Sequence, residues 1–140
     1  FCAKQGVSHY YGFARHMATE KITSQLTTMK YFLYFIRVLL ACRWIEEKKT
    51  PPPVPFMELM QATVADESIK TKLVELINKK RMGMELDTTV IDNELMNYAQ
   101  DLYRYYTENI RYLNLPTDKP NVEKEMDELL WDMIGTFNTK

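Results

Sequence analysis

The sequence predicts an all-α fold, an antiparallel bundle of about five helices with one short extra helix. Three observations carry that expectation. Glycine is scarce, at four residues, and the six prolines gather at Pro51, Pro52, Pro53, Pro55, Pro116 and Pro120, so long stretches hold no helix breaker. Apolar residues recur at three- and four-residue spacing along most of those stretches, and no alternating run competes with them. Hydrophobic residues make up 46% of the chain, as in a folded domain, and 140 residues suit one core.

The first helix is expected over residues 8–26, where Tyr10, Phe13, Ala14, Met17, Ala18 and Ile22 fall close to helical spacing. The second is expected over residues 28–47. There Tyr31, Phe32, Phe35, Ile36, Val38, Leu39, Cys42 and Ile45 leave almost no polar side, which marks a central, buried helix. Residues 48–55, KKTPPPVP, read as a stiff surface connection, because consecutive prolines force extended backbone. A short helix follows from Pro55 with Phe56, Leu59 and Met60, since proline suits a first helical turn.

The third long helix is expected over residues 66–82, with Ile69, Leu73, Leu76 and Ile77 as its apolar stripe. Asp66 and Glu67 open it, Lys79, Lys80 and Arg81 close it, and Gly83 follows, which is the charge order a helix dipole favours. The fourth is expected over residues 92–113 on Leu95, Tyr98, Ala99, Leu102, Tyr105, Tyr106 and Ile110. Residues 114–120 break the pattern. Asn121 is a good N-cap for a last helix carrying Val122, Met126, Leu129, Leu130, Met133 and Phe137.

Charge and cysteine content narrow the function. The formal net charge of −1 supplies no global basic field for nucleic acid. Cys2 and Cys42 form neither a disulfide framework nor a metal pair, and Cys42 reads as a small buried hydrophobe, so a reducing, cytoplasmic setting is expected. The apolar run around Tyr31 to Cys42 is broken by Arg37 and is too short for a bilayer, so no membrane role is expected. The chain opens on Phe1, as a fragment of a longer protein would.

Arg37 is the most informative residue, because apolar side chains flank it on both sides. A guanidinium there must be paired or must open onto a polar cleft. Lys30, Tyr34, Arg37, Ala41 and Trp44 share one helical stripe, which could line a groove for phosphate and a flat base. A structural Arg bonded to a carboxylate or to helix-end carbonyls explains the same spacing. Lys79, Lys80 and Arg81 could touch phosphate or could simply be a solvated helix end, with Glu85 and Asp87 as neighbours that could pair with them or with Arg37.

Several chemistries are disfavoured. His9 and His16 have no Cys or acidic partners for a metal set, so no metal site is expected. No His follows Arg37 or Arg43 at the spacing used by one class of helical RNases. There is no phosphate-binding glycine loop, nucleophile elbow or HExxH, and no catalytic residue is expected in this chain.

Residues 30–60, KYFLYFIRVLLACRWIEEKKTPPPVPFMELM, resemble the C-terminal half of a predicted nucleotidyltransferase family, the RNA-repair-associated branch of the DNA polymerase beta superfamily. The matching positions are Lys30, Tyr31, Arg37, Ala41, Trp44, Ile45, Pro52, Pro53, Phe56 and Leu59. Lys79, Lys80, Gly83, Glu85 and Leu86 look like a further stretch of that family, and Tyr10 to Met17 looks like its preceding helix. Val38 departs from the pattern, which often has Pro there.

The resemblance implies a helical C-terminal domain, residues 1–140, that packs on a missing N-terminal catalytic domain and closes one wall of the nucleotide and acceptor cleft. It implies substrate contacts at Lys30, Tyr34 and Arg37, with Lys79, Lys80 and Glu85 as secondary contributors. Mg²⁺ and a nucleoside triphosphate would belong to the full-length protein, and no cofactor is expected in this chain. The Gly-Ser turn and paired Asp residues that such catalysis needs are absent from this sequence. The acceptor could be a nucleotide or RNA. The alternative is a non-enzymatic helical module that binds another protein. A surplus of apolar surface near Phe13, Met17, Tyr34 and Trp44 would then await a partner, either the catalytic domain or a second copy in a homodimer.

Overall fold

The computed structural model describes residues 2–22, 26–81 and 89–110. Five α-helices run through them: α1 (Ala3–Glu20), α2 (Met29–Lys48), α3 (Phe56–Thr63), α4 (Glu67–Arg81) and α5 (Asn93–Asn109). The fold is all-α, as the sequence predicts. One addition was not expected: Leu26–Thr27 (β1) pairs antiparallel with Thr89–Val90 (β2), Leu26 opposite Val90 and Thr27 opposite Thr89. The helix expected after Asn121 lies outside the described residues.

Helix starts follow side-chain caps. Thr28 is extended and its hydroxyl accepts the Tyr31 N–H at 3.1 Å, opening α2. An Asp66 carboxylate oxygen accepts the Ser68 N–H at 2.8 Å before α4, and Asp92 accepts the Glu94 and Leu95 N–H groups before α5. These three starts stand where the sequence puts them. The first helix does not. It begins at Ala3, not Ser8, because the residues from Ala3 onward are compatible with a helix and nothing interrupts them. It ends at Glu20, not Leu26, because Leu26 and Thr27 take up the β pairing and Thr28 must be extended to cap α2.

α2 is the centre of the domain and touches each of the other four helices. Twelve of its 20 residues are buried, including Phe32, Leu33, Phe35, Ile36, Leu39, Leu40 and Ile45. α1 covers one side with Val7, Phe13, Ala14 and Met17. α3 adds Phe56, Leu59 and Met60, α4 adds Ile69, Leu73 and Ile77, and α5 adds Leu95, Ala99 and Tyr106. α2 ends on Lys49, whose left-handed backbone (φ 58°) lets its N–H close on the Ile45 carbonyl.

The partner surface expected near Phe13, Met17 and Tyr34 is not there. All three are at most 1% exposed, because α1 and α2 cover one another. Trp44 is half-buried, with its indole N–H donated to Thr50 at 3.1 Å and the Lys48 ammonium over its ring. Among the described residues, no helix is long and apolar enough to cross a membrane.

α4 and α5 are joined by charge. The Lys72 ammonium donates to Asp92 at 2.8 Å and contacts Glu94 at 2.7 Å, while the Ser68 hydroxyl donates to Glu94 at 3.2 Å. The hydrogen bond from Lys72, aided by the α5 amides, holds the Asp92 carboxyl below the usual carboxylate range. The hydrogen bonds to Asp92 and Glu94 hold the Lys72 ammonium above its ordinary value. Both partners lie at the surface, so the contribution is small and weakens in salt.

Two outcomes are expected. Leu39→Ala leaves a cavity in the fully buried centre of α2 and lowers stability by about 2–5 kcal/mol in urea unfolding; a loss under about 1 kcal/mol would mean that the core collapses to fill it. Asp92→Asn keeps a capping oxygen and removes the charge. The stabilisation from the lowered Asp92 pKa is present above about pH 4 and lost as pH falls through the folded-state value. The stabilisation from the raised Lys72 pKa is present below about pH 10 and lost as pH rises through its folded-state value. Wild type is therefore more stable than Asp92→Asn at about pH 7, and the gap closes in acid as pH falls through the lowered folded-state value of Asp92. A gap that persists in acid assigns the effect to the cap and not to the ion pair.

Candidate functional site

Arg37 sits mid-way along α2 among Phe35, Ile36, Val38 and Leu39, all buried. Its own side chain is half-buried and donates from Nη2 to the Pro53 carbonyl at 3.4 Å. The proline-rich connection between α2 and α3 is therefore laid back along α2, and one of its carbonyls lies at the guanidinium.

Two tyrosines lie in the field of that guanidinium. Tyr10, half-buried on α1, has its phenol pushed up by burial, with Arg37 acting in the opposite direction. Tyr34, one turn before Arg37, is fully buried, and its hydroxyl has no hydrogen-bond partner. Burial raises the Tyr34 phenol strongly, Tyr10 adds to the rise, and Arg37 opposes it. Phe13 packs edge-on against the Tyr34 ring, with centroids 6.4 Å apart. Both phenols stay protonated near neutral pH, and the half-buried Tyr10 hydroxyl can donate a hydrogen bond in the field of a fixed positive charge.

The expected stripe is thus divided. Tyr34 and Arg37 remain together and recruit Tyr10 and the Pro53 carbonyl. Tyr34 lines no open groove, because its side chain is wholly inside. Lys30 stands in the first turn of α2, half-buried. Trp44, engaged by Lys48 and Thr50, stands in the last turns of the same helix. Lys79 and Lys80 lie in the last turn of α4, the former exposed and the latter half-buried. Glu85 lies outside the described residues.

The sequence reading missed Tyr10, counted there as one apolar position of the first helix. No spacing rule connects it to Arg37, since the two influence each other electrostatically across two packed helices. Pro53 was legible as part of a stiff connection, but its carbonyl as an acceptor depends on how that connection folds back.

Chemically, the half-buried groups are donors: the Arg37 guanidinium and the neutral Tyr10 phenol suit an anionic group such as a phosphate. It offers no nucleophile. Cys42 is fully buried, its thiol is pushed up by burial and by Glu46, and its Sγ–H points to the Val7 carbonyl at 3.6 Å. Among the described residues, no group of three or more His, Cys, Asp or Glu could hold a metal ion. The acidic residues among those described are not gathered as Mg²⁺ requires.

Residues 1–132 match the RNA repair pathway DNA polymerase beta family (RlaP). The chain is also similar to the uncharacterized protein YcgL of Bacillus subtilis (strain 168), with 28% identity over 134 residues. That match covers 96% of this chain and 51% of the relative, so the chain spans about half the length of the curated relative it matches. No solved structure matches. With nearly its whole length matched, the chain belongs to the RNA repair pathway DNA polymerase beta family.

Proposed function

We propose that this chain is the helical half of a nucleotidyltransferase, forming one wall of the cleft where nucleotide and acceptor meet. Arg37 is its anion contact, with the Tyr10 hydroxyl beside it and Tyr34 packed beneath. Lys30, Lys79 and Lys80 are secondary contributors at the ends of their helices. The observation that carries the reading is a guanidinium kept half-buried in the most deeply buried of the described helices, steered by a backbone carbonyl and set in the field of two phenols. Membership of a polymerase-beta-type family supplies the phosphate chemistry that such a group serves.

In this reading the transfer step is performed elsewhere in the whole, cytoplasmic protein. The nucleoside triphosphate and Mg²⁺ are held chiefly by the catalytic half, and the acceptor is a nucleotide or RNA. This chain binds and orients. A planar, fixed guanidinium can hold two phosphate oxygens at once, which places the phosphate without entering the bond changes.

The test separates binding from folding. In the full-length protein, Arg37→Gln should weaken nucleoside triphosphate binding about tenfold or more, the value of one charge-assisted hydrogen bond. Arg37→Lys should recover part of it, because charge returns without the fork. The stability of this domain should change by no more than about 2 kcal/mol, in the range of one hydrogen bond from a charged group such as the bond to Pro53. Unaltered nucleotide binding, or a loss of stability of ~3 kcal/mol or more, would make Arg37 a structural residue instead.

Tyr34→Phe gives a second expected outcome. The substitution removes a buried hydroxyl that has no partner, so thermal unfolding should show an unchanged or higher stability, by about 1 kcal/mol. A loss of similar size would show that the hydroxyl is bonded in solution.

A further inference from the structure

We propose that the ridge formed by Pro51, Val54, Pro55 and Met57 is the surface on which this helical half docks the other half of its own protein. The proposal rests on the two-part reading above and names the interface that reading requires.

The ridge is exposed and apolar. Val54 is 63% exposed and Met57 37%, while Pro51 and Pro55 are exposed between and beside them. Among the described residues, one other large hydrophobic side chain is exposed, Tyr105, and its hydroxyl is bonded to Glu46. Apolar exposure among the described residues is thus concentrated at one place, since the other large hydrophobic residues described there are buried at least in part.

The ridge is also stiff. Prolines fix φ, and each residue that precedes one is held extended, which applies to Thr50, Pro51, Pro52 and Val54. Three contacts pin it to α2: Lys49 closes the helix in a left-handed conformation, Thr50 accepts the Trp44 indole N–H, and the Pro53 carbonyl accepts from Arg37. Little conformational entropy remains to be lost on docking.

Length argues for the occupant. The chain covers 51% of the Bacillus relative, so the remainder of that protein is about as long again, the size of a further domain. Two covalently joined domains need only a modest interface. Lys48 and Lys49 are exposed where the ridge begins, so the groove that receives it should be apolar with carboxylates at that end. Because Pro53 joins the ridge to Arg37, a domain seated there would also border the guanidinium.

The experiment is thiol labelling of Val54→Cys in a Cys2→Ser background, where Cys42 is buried and silent. The 140-residue chain and the product of the full reading frame that encodes it are compared, with Asn97→Cys on the exposed side of α5 as control. The thiol introduced by Val54→Cys should react quickly in the 140-residue chain and about tenfold or more slowly in the full-length protein, independent of concentration. The control should react equally in both. Equal rates for Val54→Cys, or a reading frame without a second half, would overturn the proposal. Protection that grows with concentration in the 140-residue chain would identify a second copy as the occupant and overturn it equally.

Nucleotide binding by Arg37→Gln keeps the two readings apart. Protection at position 54 with binding indifferent to Arg37→Gln leaves the docking surface and removes the cleft role. Loss of binding in Arg37→Gln without protection removes the docking surface alone.

Discussion

Burial of α2 governs the rest of the molecule. A helix with apolar side chains on nearly every face cannot lie at a surface, so other elements must enclose it. Each buried Leu, Ile or Phe contributes about 1.5–3 kcal/mol relative to exposure, which is the main force available to a domain of this size. The four surrounding helices are short or amphipathic and have apolar positions on the side that meets α2. The breaks between helices follow from the same demand, because the chain must turn sharply to return to one central rod. Thr28, Asp66 and Asp92 stop the frayed helix starts from leaving amides unpaired.

Every polar group on α2 must then be accommodated inside or at the edge of that enclosure. Cys42 is small and turns its weak donor to the Val7 carbonyl of α1. Trp44 reaches Thr50 just beyond the helix end. Arg37 reaches the Pro53 carbonyl, which requires the proline-rich connection to return along the helix it has just left. The buried Tyr34 hydroxyl meets no partner. These solutions differ in cost. A thiol or an indole is cheap to satisfy, whereas a guanidinium and an unbonded phenol set next to each other go against the stability of the core. Local departures of that kind are expected where a protein handles a ligand.

What could be read from the sequence was what depends on local pattern. The central role of α2 follows from its apolar run, and the starts at Thr28, Asp66 and Asp92 follow from capping chemistry. The limits of α1 were not legible, because Ser8 has the chemistry of a cap but lies within a stretch that can continue as helix. The β1–β2 pair was not legible either. Two residues carry no periodicity, and their partners lie far apart in the chain. At the site, Arg37 was visible as an anomaly in an apolar run, and its neighbours on the same helix followed from spacing. Tyr10 and the Pro53 carbonyl arrive through packing between elements, which no single-helix pattern encodes. The same is true of the burial of Phe13, Met17 and Tyr34, which depends on α1 and α2 covering each other.

The connection between α2 and α3 unites these threads. A flexible loop of glycine and serine could also offer a carbonyl to Arg37, but it would lose entropy in doing so and would hold the guanidinium loosely. Prolines have already lost that freedom in the unfolded chain. The contact with Arg37 therefore costs little ordering, and the guanidinium is set by a stiff strap. The same stiffness keeps Val54 turned outward, since a strap fixed at Thr50 and Pro53 cannot rotate to bury it. Exposure of the ridge and placement of the cation are two consequences of one rigid segment, and any domain that seats on the first is brought to the second.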